Sequence, residues 1–176
     1  MPAFSYSVVT NLPRGRVWSL LTDITNWAKF SDIYSDLRWD GTPWAEGSAI
    51  VGRLNYPIVV AGRYAIRECR PPELIRYLSQ TRDAGFATER TITLQQLTNG
   101  TLIQADAVVV GTPDMPGGAS EFLSSLTTRW FNQFARFCDS QNLFSADSHG
   151  ARDNPASGRK TLDHPTPHHP PEVAKP

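Results

Sequence analysis

The sequence predicts an α+β domain in which a curved antiparallel sheet of seven strands wraps around one long C-terminal helix, with two short helices between strands 1 and 2. Six β-rich segments follow one another from residue 34 to residue 111 with short connections, which is typical of an antiparallel meander. One β-rich segment precedes them, and a long helical pattern with one apolar face follows them. A sheet and a helix that each have one apolar face bury those faces against each other.

The strand signals are β-rich composition, alternation and turn residues. The predicted strands are residues 3–10, a short strand that contains Trp39 and ends at Asp40-Gly41, and residues 48–54, 58–70, 74–81, 86–97 and 101–111. The dipeptide Asn99-Gly100 separates the last two strands, and this pair between alternating segments is a strong hairpin signal.

Helical spacing of apolar residues predicts the helices. Pro13 suits the start of the first helix, because the N–H that proline lacks has no helical partner there. The apolar positions that follow it are Val17, Leu20, Leu21 and Ile24. A second short helical turn begins near Asp23 or Thr25 and carries Trp27 and Phe30.

The long helix is predicted over residues 119 to about 141, a length on the order of 35 Å. Its apolar stripe is Phe122, Leu126, Trp130, Phe134 and Phe137. A stripe this apolar must lie against an equally apolar surface, and the inner face of the sheet is the only candidate.

Composition divides the chain near residue 144. Hydrophobic residues make up 40% of the sequence, which suffices for one well-filled domain, and we assign that domain to residues 1–144. Residues 145–176 contain six prolines, all four histidines and almost no large apolar side chains, which predicts a disordered tail.

Charge and composition also exclude several classes of partner. The 17 basic and 17 acidic residues balance, which gives no reason to expect nucleic acid or an anionic membrane surface. No stretch of 18 apolar residues predicts a membrane span, and the first residues do not resemble a signal peptide, so we expect a cytoplasmic protein. Cys69 and Cys138 are expected to be free thiols. The oligomeric state is left open.

Four segments resemble the START-like helix-grip superfamily (SRPBCC), in particular its polyketide cyclase/dehydrase and lipid-transport group. PRGRVWSLLTDITNWAKFSD is similar to the opening helix pair, with Pro13, Val17-Trp18, Leu20-Leu21, Asp23 and Asn26-Trp27. CRPPELIRYL, NGTLIQADAVV and FLSSLTTRWFNQF are similar to a strand corner, the last hairpin and the closing helix. The resemblance covers about residues 3–143. It implies a deep cavity between sheet and long helix, gated by the short helices and holding lipids, polyketides or other apolar ligands, but no single reaction.

The predicted domain lacks the residues of several catalytic sites. Without histidine it lacks the usual neutral-pH base, which excludes Ser-His-Asp and Cys-His arrangements there. Two cysteines without histidine also make a zinc site unexpected, and no cofactor is predicted.

Alternation identifies the side chains that face the cavity. In the strand of residues 58–70, Val60, Gly62, Tyr64, Ile66 and Glu68 share the more apolar face. The next strands add Ile75 and Tyr77, then Phe86, Thr88, Arg90, Ile92 and Leu94, and finally Ile103, Ala105, Ala107 and Val109. The candidate ligand-binding residues are Trp27, Tyr64, Ile66, Tyr77, Arg90, Ile92, Ala105, Ala107, Phe122, Leu126, Trp130 and Phe134.

Several of these residues have two interpretations. Glu68, Tyr64 and Arg90 are weak catalytic candidates that would orient a ligand carbonyl or carboxylate or exchange a proton. The favoured alternative places Arg90 and Glu68 near the sheet rim, paired with each other or with water. Trp27 either forms a gate, with Trp18 and Phe30, or pins the short helices to the sheet.

The remaining large aromatics are ambiguous in the same way. Trp130 and Phe134 are core residues first and pocket walls second. Trp39 and Trp44 lie near the pocket entrance by the resemblance, or they simply cover a sheet edge.

The leading functional hypothesis is binding or transport of a small hydrophobic ligand, without catalysis. The alternative is a polyketide cyclase- or aromatase-like enzyme that works mainly by positioning its substrate, which requires polar residues deep in the cavity. A protein-interaction role would need a large exposed apolar patch, and nothing in the sequence selects it.

Overall fold

A computed structural model describes residues 3–55, 59–81, 87–111 and 118–147. They form a seven-stranded antiparallel sheet curved around a long C-terminal helix, as the sequence predicts. The strands are β1 (Ala3–Thr10), β2 (Tyr34–Asp40), β3 (Ala49–Leu54), β4 (Val60–Arg70), β5 (Leu74–Thr81), β6 (Ala87–Leu97) and β7 (Gly100–Val110). Their spatial order is β1-β7-β6-β5-β4-β3-β2, so β1 pairs with the last strand and the rest form a meander.

The hairpin between β6 and β7 forms where the sequence predicts it. Leu97 pairs with Gly100, so the two-residue loop is Thr98-Asn99 and Gly100 already belongs to β7. Gly100 has a φ of +145°, a conformation that L side chains rarely adopt.

Two short helical segments connect β1 to β2, also as predicted. They are helix α1 (Arg14–Thr22) and a 3₁₀ turn (Ile24–Asn26) that continues into helix α2 (Trp27–Phe30). Pro13 occupies the N-cap of α1. The Asp23 carboxylate accepts a hydrogen bond of 3.0 Å from the backbone N–H of Thr25, which starts the second segment.

The closing helix α3 (Ala119–Asp147) is longer than predicted, and the predicted domain boundary at residue 144 falls inside it. Beyond residue 141 the helix contains two large apolar residues, Leu143 and Phe144, so the stripe on which the predicted helix end was based becomes sparse. The predicted disordered tail lies almost entirely outside the described residues. Within those residues, no helix combines the length and apolar character that crossing a membrane requires.

The core lies between α3 and the inner face of the sheet. Phe134 and Cys138 of α3 have no exposed surface, and neither has Ile103 on β7. The inward faces predicted for β5, β6 and β7 are correct for every described residue, because these positions are buried in strict alternation. Phe86, which was assigned to the same face, lies outside the described residues.

A β-bulge in β4 makes one predicted orientation wrong. Ile66 pairs with Tyr77, but the next pair is Glu68 with Arg76, so Arg67 is an extra residue that reverses the alternation. Glu68 therefore faces outward, where its carboxylate lies 2.8 Å from Arg70 and 3.3 Å from Arg76. Cys69, opposite Ile75, packs against the core in its place.

Candidate functional site

Aromatic rings fill the part of the interior where α2 meets α3. We call this group the aromatic cluster: Trp27, Phe30, Trp130, Phe134 and Phe137. The centroid distances are 5.2 Å from Trp27 to Trp130 and 5.2 Å from Phe30 to Phe134. Such edge-on and tilted pairs stabilise beyond the area they bury. This part of the interior is packed by the protein's own side chains.

Trp27 has the contacts expected of a residue that pins the short helices to the core. It is 3% exposed, and its indole N–H donates to the carbonyl oxygen of Leu21 at 2.9 Å. A gating role for Trp27, Trp18 and Phe30 stays a prediction.

Trp39 and Trp44 cover the end of the sheet beside α1. Their ring centroids are 4.9 Å apart, and the Trp44 indole N–H donates to the carbonyl oxygen of Thr22 at 2.9 Å. The pair thus ties the loop after β2, at the free edge of the sheet, to the end of α1.

A second group of interior side chains is polar. We call it the polar cluster: Tyr34, Tyr64, Tyr77, Arg90 and Thr127. The Tyr64 ring stands edge-on to Tyr34 at 5.6 Å and to Tyr77 at 6.2 Å between centroids. The cluster is assembled from β2, β4, β5, β6 and α3.

Arg90 carries the positive charge of the polar cluster. It is 9% exposed, and its Nη1 donates to the Thr127 hydroxyl at 2.8 Å. That hydroxyl in turn donates to the carbonyl oxygen of Leu123 at 2.8 Å. The guanidinium carbon also lies 5.9 Å from the ring centroid of Phe4. The favoured expectation that Arg90 lies at the rim of the sheet is wrong. Its side chain points inward in the alternation of β6 and bonds Thr127 of α3.

Two buried donors of the interior lack a hydrogen-bond partner among the described residues: the Tyr64 hydroxyl and the Trp130 indole N–H. The Tyr64 hydroxyl lies over Gly62, where a Cβ would approach it to 2.6 Å. A buried polar group without a partner costs about 1–3 kcal/mol.

Burial dominates the ionisation of the three tyrosines. It raises the pKa of Tyr34 and Tyr77, and it raises that of Tyr64 well above its usual range; the Arg90 charge opposes the rise in all three. The hydroxyls therefore stay protonated at neutral pH and act as hydrogen-bond donors, not bases. Burial also raises the pKa of the free thiol Cys138 to about 12, with Asp139 adding to the rise.

We expect the free energy of unfolding to fall above about pH 10, where tyrosines of the unfolded chain ionise. A tyrosine whose pKa is higher in the folded than in the unfolded protein stabilises the folded state at pH values below its unfolded pKa. As the pH rises from the unfolded to the folded pKa, the free energy of unfolding falls by about 1.4 kcal/mol per pH unit for each such tyrosine. Urea unfolding of the wild type and Tyr64→Phe between pH 8 and 11 measures this. The wild type should lose stability more steeply, and equal slopes would contradict the burial of an un-ionised Tyr64.

The remaining predicted lining residues occupy the same interior. Those that are buried are Ile66, Ile92, Ala105, Ala107 and Leu126. Phe122 is half-buried and packs against the core. Glu68 is the one candidate that the structure removes from the interior.

Tyr34 and Thr127 belong to the polar cluster but were not predicted. Tyr34 is the first residue of β2 and follows a three-residue connection from α2, so no alternation precedes it. The sequence could have indicated Thr127, because a polar residue one position after Leu126 and three before Trp130 lies beside the apolar stripe of the helix.

An open groove of about 490 Å³ lies beside the polar cluster. Its lining is rich in hydroxyl groups: Phe4, Ser120, Glu121, Ser124, Ser125 and Thr128. Phe4 belongs to this lining and also contacts Arg90. The ring of Phe4 thus links the groove to the buried cation.

Comparison with known proteins supports the architecture. No family model and no curated protein matches the sequence. Among solved structures, Ara h 8.0201 matches with a TM-score of 0.67 at 9% identity, over 78% of this chain and 97% of that one. The chain has the helix-grip fold.

Two further solved structures match most of this chain. CalU16 from Micromonospora echinospora matches with a TM-score of 0.59 at 14% identity, over 84% of this chain and 83% of that one. DynU16, a protein of the dynemicin biosynthetic locus, matches with a TM-score of 0.61 at 16% identity over 78% of this chain. The match spans 47% of DynU16, about half its length. At these identities the likeness establishes the helix-grip fold alone.

Proposed function

We propose that the protein binds a small hydrophobic molecule between the sheet and α3 and carries it without chemical change. The observation that carries this proposal is the pair of buried donors, Tyr64 Oη and Trp130 Nε1, that have no partner among the described residues. Proteins satisfy nearly all buried polar groups, so a ligand oxygen is a suitable partner for donors that the described residues leave unpaired. Apolar walls with a few polar groups are typical of small-molecule sites.

Transport is favoured over catalysis by the character of the polar cluster. Its members are an arginine, a threonine and three tyrosines whose pKa values burial raises. None of these groups is a proton acceptor of useful strength at neutral pH, whereas general-base catalysis needs one near the operating pH.

A fluorescent probe tests the proposal. The neutral dye N-phenyl-1-naphthylamine should brighten on binding to the wild type with a stoichiometry of one. Ala105→Trp places an indole in the proposed site and should weaken the affinity at least tenfold, because Ala105 is buried on the inner face of β7. The matched control is Ala61→Trp on the exposed face of β4, which should leave the affinity unchanged.

Folding of each variant is checked by its melting temperature, since extra volume in a packed core costs about 1–3 kcal/mol. Ala107→Leu adds less volume at the neighbouring inward position and serves if Ala105→Trp does not fold. Equal probe affinity in the folded inner-face and outer-face variants would overturn an internal site.

A cyclase-like enzyme is the second candidate, because Arg90 and the Tyr64 hydroxyl lie deep inside, where such an enzyme would polarise a substrate carbonyl. Mass spectrometry of a ligand before and after incubation separates the two. A carrier returns the ligand at its original mass, whereas cyclisation with dehydration lowers the mass by one water.

A further inference from the structure

We infer that the natural ligand carries a single carboxylate and that this group pairs with Arg90 inside the protein. The inference rests on the proposed internal site and adds the chemical class of its ligand. An arginine is rarely buried without an anionic partner, because removing its charge from water costs several kcal/mol.

Arg90 differs from the ion-paired arginines of the described residues in having no carboxylate partner. Six arginines lie within 4 Å of a carboxylate, and their side chains are 31–62% exposed: Arg14, Arg53, Arg63, Arg70, Arg76 and Arg129. Arg90 is buried, and no ion pair of the described residues includes it. Four further arginines of the described residues also lie in no ion pair, but all four are exposed to water: Arg16, Arg38, Arg67 and Arg136. Among the described residues, Arg90 is thus the buried arginine that has no carboxylate partner.

Among the described residues, no carboxylate lies within 4 Å of the Arg90 guanidinium; Glu121 of α3 lines the neighbouring groove but forms no ion pair with Arg90. The neighbours of Arg90 are Phe4 of β1, the hydroxyls of Tyr34, Tyr64 and Tyr77, and Thr127 of α3. The tyrosines stay neutral at physiological pH because burial holds their pKa values above the usual range. One positive charge therefore remains to be compensated.

The unpartnered donors point to the same ligand group. The Tyr64 hydroxyl and the Trp130 N–H both offer hydrogens, and so do the Arg90 nitrogens beyond Nη1. Among the described residues of α3, the one unpartnered acceptor is Gln133 Oε1, which belongs to a half-buried residue and carries no charge. A carboxylate is acceptor-only and matches the planar guanidinium in a bidentate pair.

The charge of the site selects a carboxylate over a phosphate monoester. One arginine compensates one negative charge, whereas a phosphate monoester carries about −1.5 to −2 at neutral pH. The excess charge would remain buried beside neutral tyrosines, at a large desolvation cost. The expected ligand is therefore an apolar or aromatic monocarboxylic acid.

Displacement of N-phenyl-1-naphthylamine by a matched pair tests the inference. Naphthalene-2-carboxylic acid and naphthalen-2-ylmethanol share one ring system and differ in the carboxylate. At pH 7.5 we expect the wild type to bind the acid at least ten times more tightly than the alcohol. The ratio is taken within each variant, so a general change in probe affinity cancels.

Arg90→Met should bring the acid-to-alcohol ratio close to one, because it retains a long apolar side chain and removes the charge. Arg90→Lys keeps the positive charge but not the planar guanidinium that forms the bidentate pair, and it should give an intermediate acid-to-alcohol ratio. Arg63→Met, on the exposed face of β4, is the matched control and should keep the wild-type ratio.

The outcomes separate this inference from the proposed function. If the wild type binds the neutral dye but takes up acid and alcohol equally, the carboxylate is wrong and the internal site survives. An acid preference that persists in Arg90→Met would overturn the assignment to Arg90. If the wild type does not bind the dye, the proposed function fails, and the inference fails with it. If Arg90→Met does not fold, Arg90→Lys takes its place, and an acid-to-alcohol ratio equal to that of the wild type would overturn the assignment to Arg90.

Discussion

Replacing Phe134 with alanine is expected to lower the free energy of unfolding by about 3–5 kcal/mol, the loss typical of a phenylalanine truncated in a packed core. Phe134 has no exposed surface, and its ring lies 5.2 Å from Phe30 and 5.7 Å from Trp130 between centroids. The side chain thus joins α3 to α2 at the centre of the aromatic cluster. Alanine favours helix, so the loss would come from packing and not from helix propensity.

Urea unfolding followed by tryptophan fluorescence measures this loss. The matched control is Phe137→Ala, one turn further along the same stripe, where the ring is half-buried and contacts Phe30 at 5.4 Å. Phe137→Ala should cost clearly less. A loss below about 1 kcal/mol for Phe134→Ala, or equal losses in the two variants, would contradict a core centred on this ring.

Gly100→Ala is expected to destabilise the protein by about 2–6 kcal/mol, which combines ~1–3 kcal/mol of backbone strain with ~1–3 kcal/mol of overpacking. Gly100 has a φ of +145°, and a Cβ there would lie 2.1 Å from the carbonyl oxygen of Thr10. Because the obstructing atom belongs to the backbone of β1, a change of rotamer cannot relieve the contact. The pairing of Thr10 with Thr101 at the end of the β1–β7 ladder would have to shift.

Gly15→Ala provides the control for this substitution. Gly15 lies in α1, is exposed, and has no described atom within 4 Å of the position that a Cβ would take. Alanine in a helix stabilises by about 0.5–1 kcal/mol relative to glycine. Thermal unfolding should therefore move the two variants in opposite directions. A melting temperature of Gly100→Ala equal to that of the wild type would mean that β1 does not approach β7 as described.

The architecture followed from the sequence because its signals are local and agree with one another. The α3 stripe, the breaks between strands and the turn before Gly100 each fix one element, and the order of elements leaves one economical packing. The end of α3 was missed because Gln141 interrupts the apolar stripe and the composition turns polar after Phe144, while the helix continues to Asp147. Cytoplasmic residence and disorder of residues 145–176 stay predictions.

The candidate site was harder to predict because it depends on register and on long-range contacts. A single extra residue, Arg67, turned Glu68 from the interior to an outer ion-pair network, and alternation alone does not reveal such a bulge. Arg90 was placed on the correct face by alternation but assigned to the rim by the rule that charges avoid burial. Its partner Thr127 is 37 positions away in sequence, beyond the reach of local patterns.

The polar cluster costs stability, and a binding role would account for its presence in the interior. A buried arginine and unpartnered donors cost stability in the absence of a ligand, and apolar side chains of similar size would often stabilise more. Such a cost is common where a protein binds or reacts with another molecule, since local rules are broken mainly at functional sites.

The most direct test of an internal, Arg90-anchored site is an NMR measurement of where the ligand lies. Intermolecular NOEs are recorded between bound naphthalene-2-carboxylic acid and the protein's methyl groups. We expect contacts to Ile66, Ile92 and Ala105, which line the inner face. NOEs confined to the exposed Val9 and Val108 would place the ligand on the outer face and contradict an internal binding site.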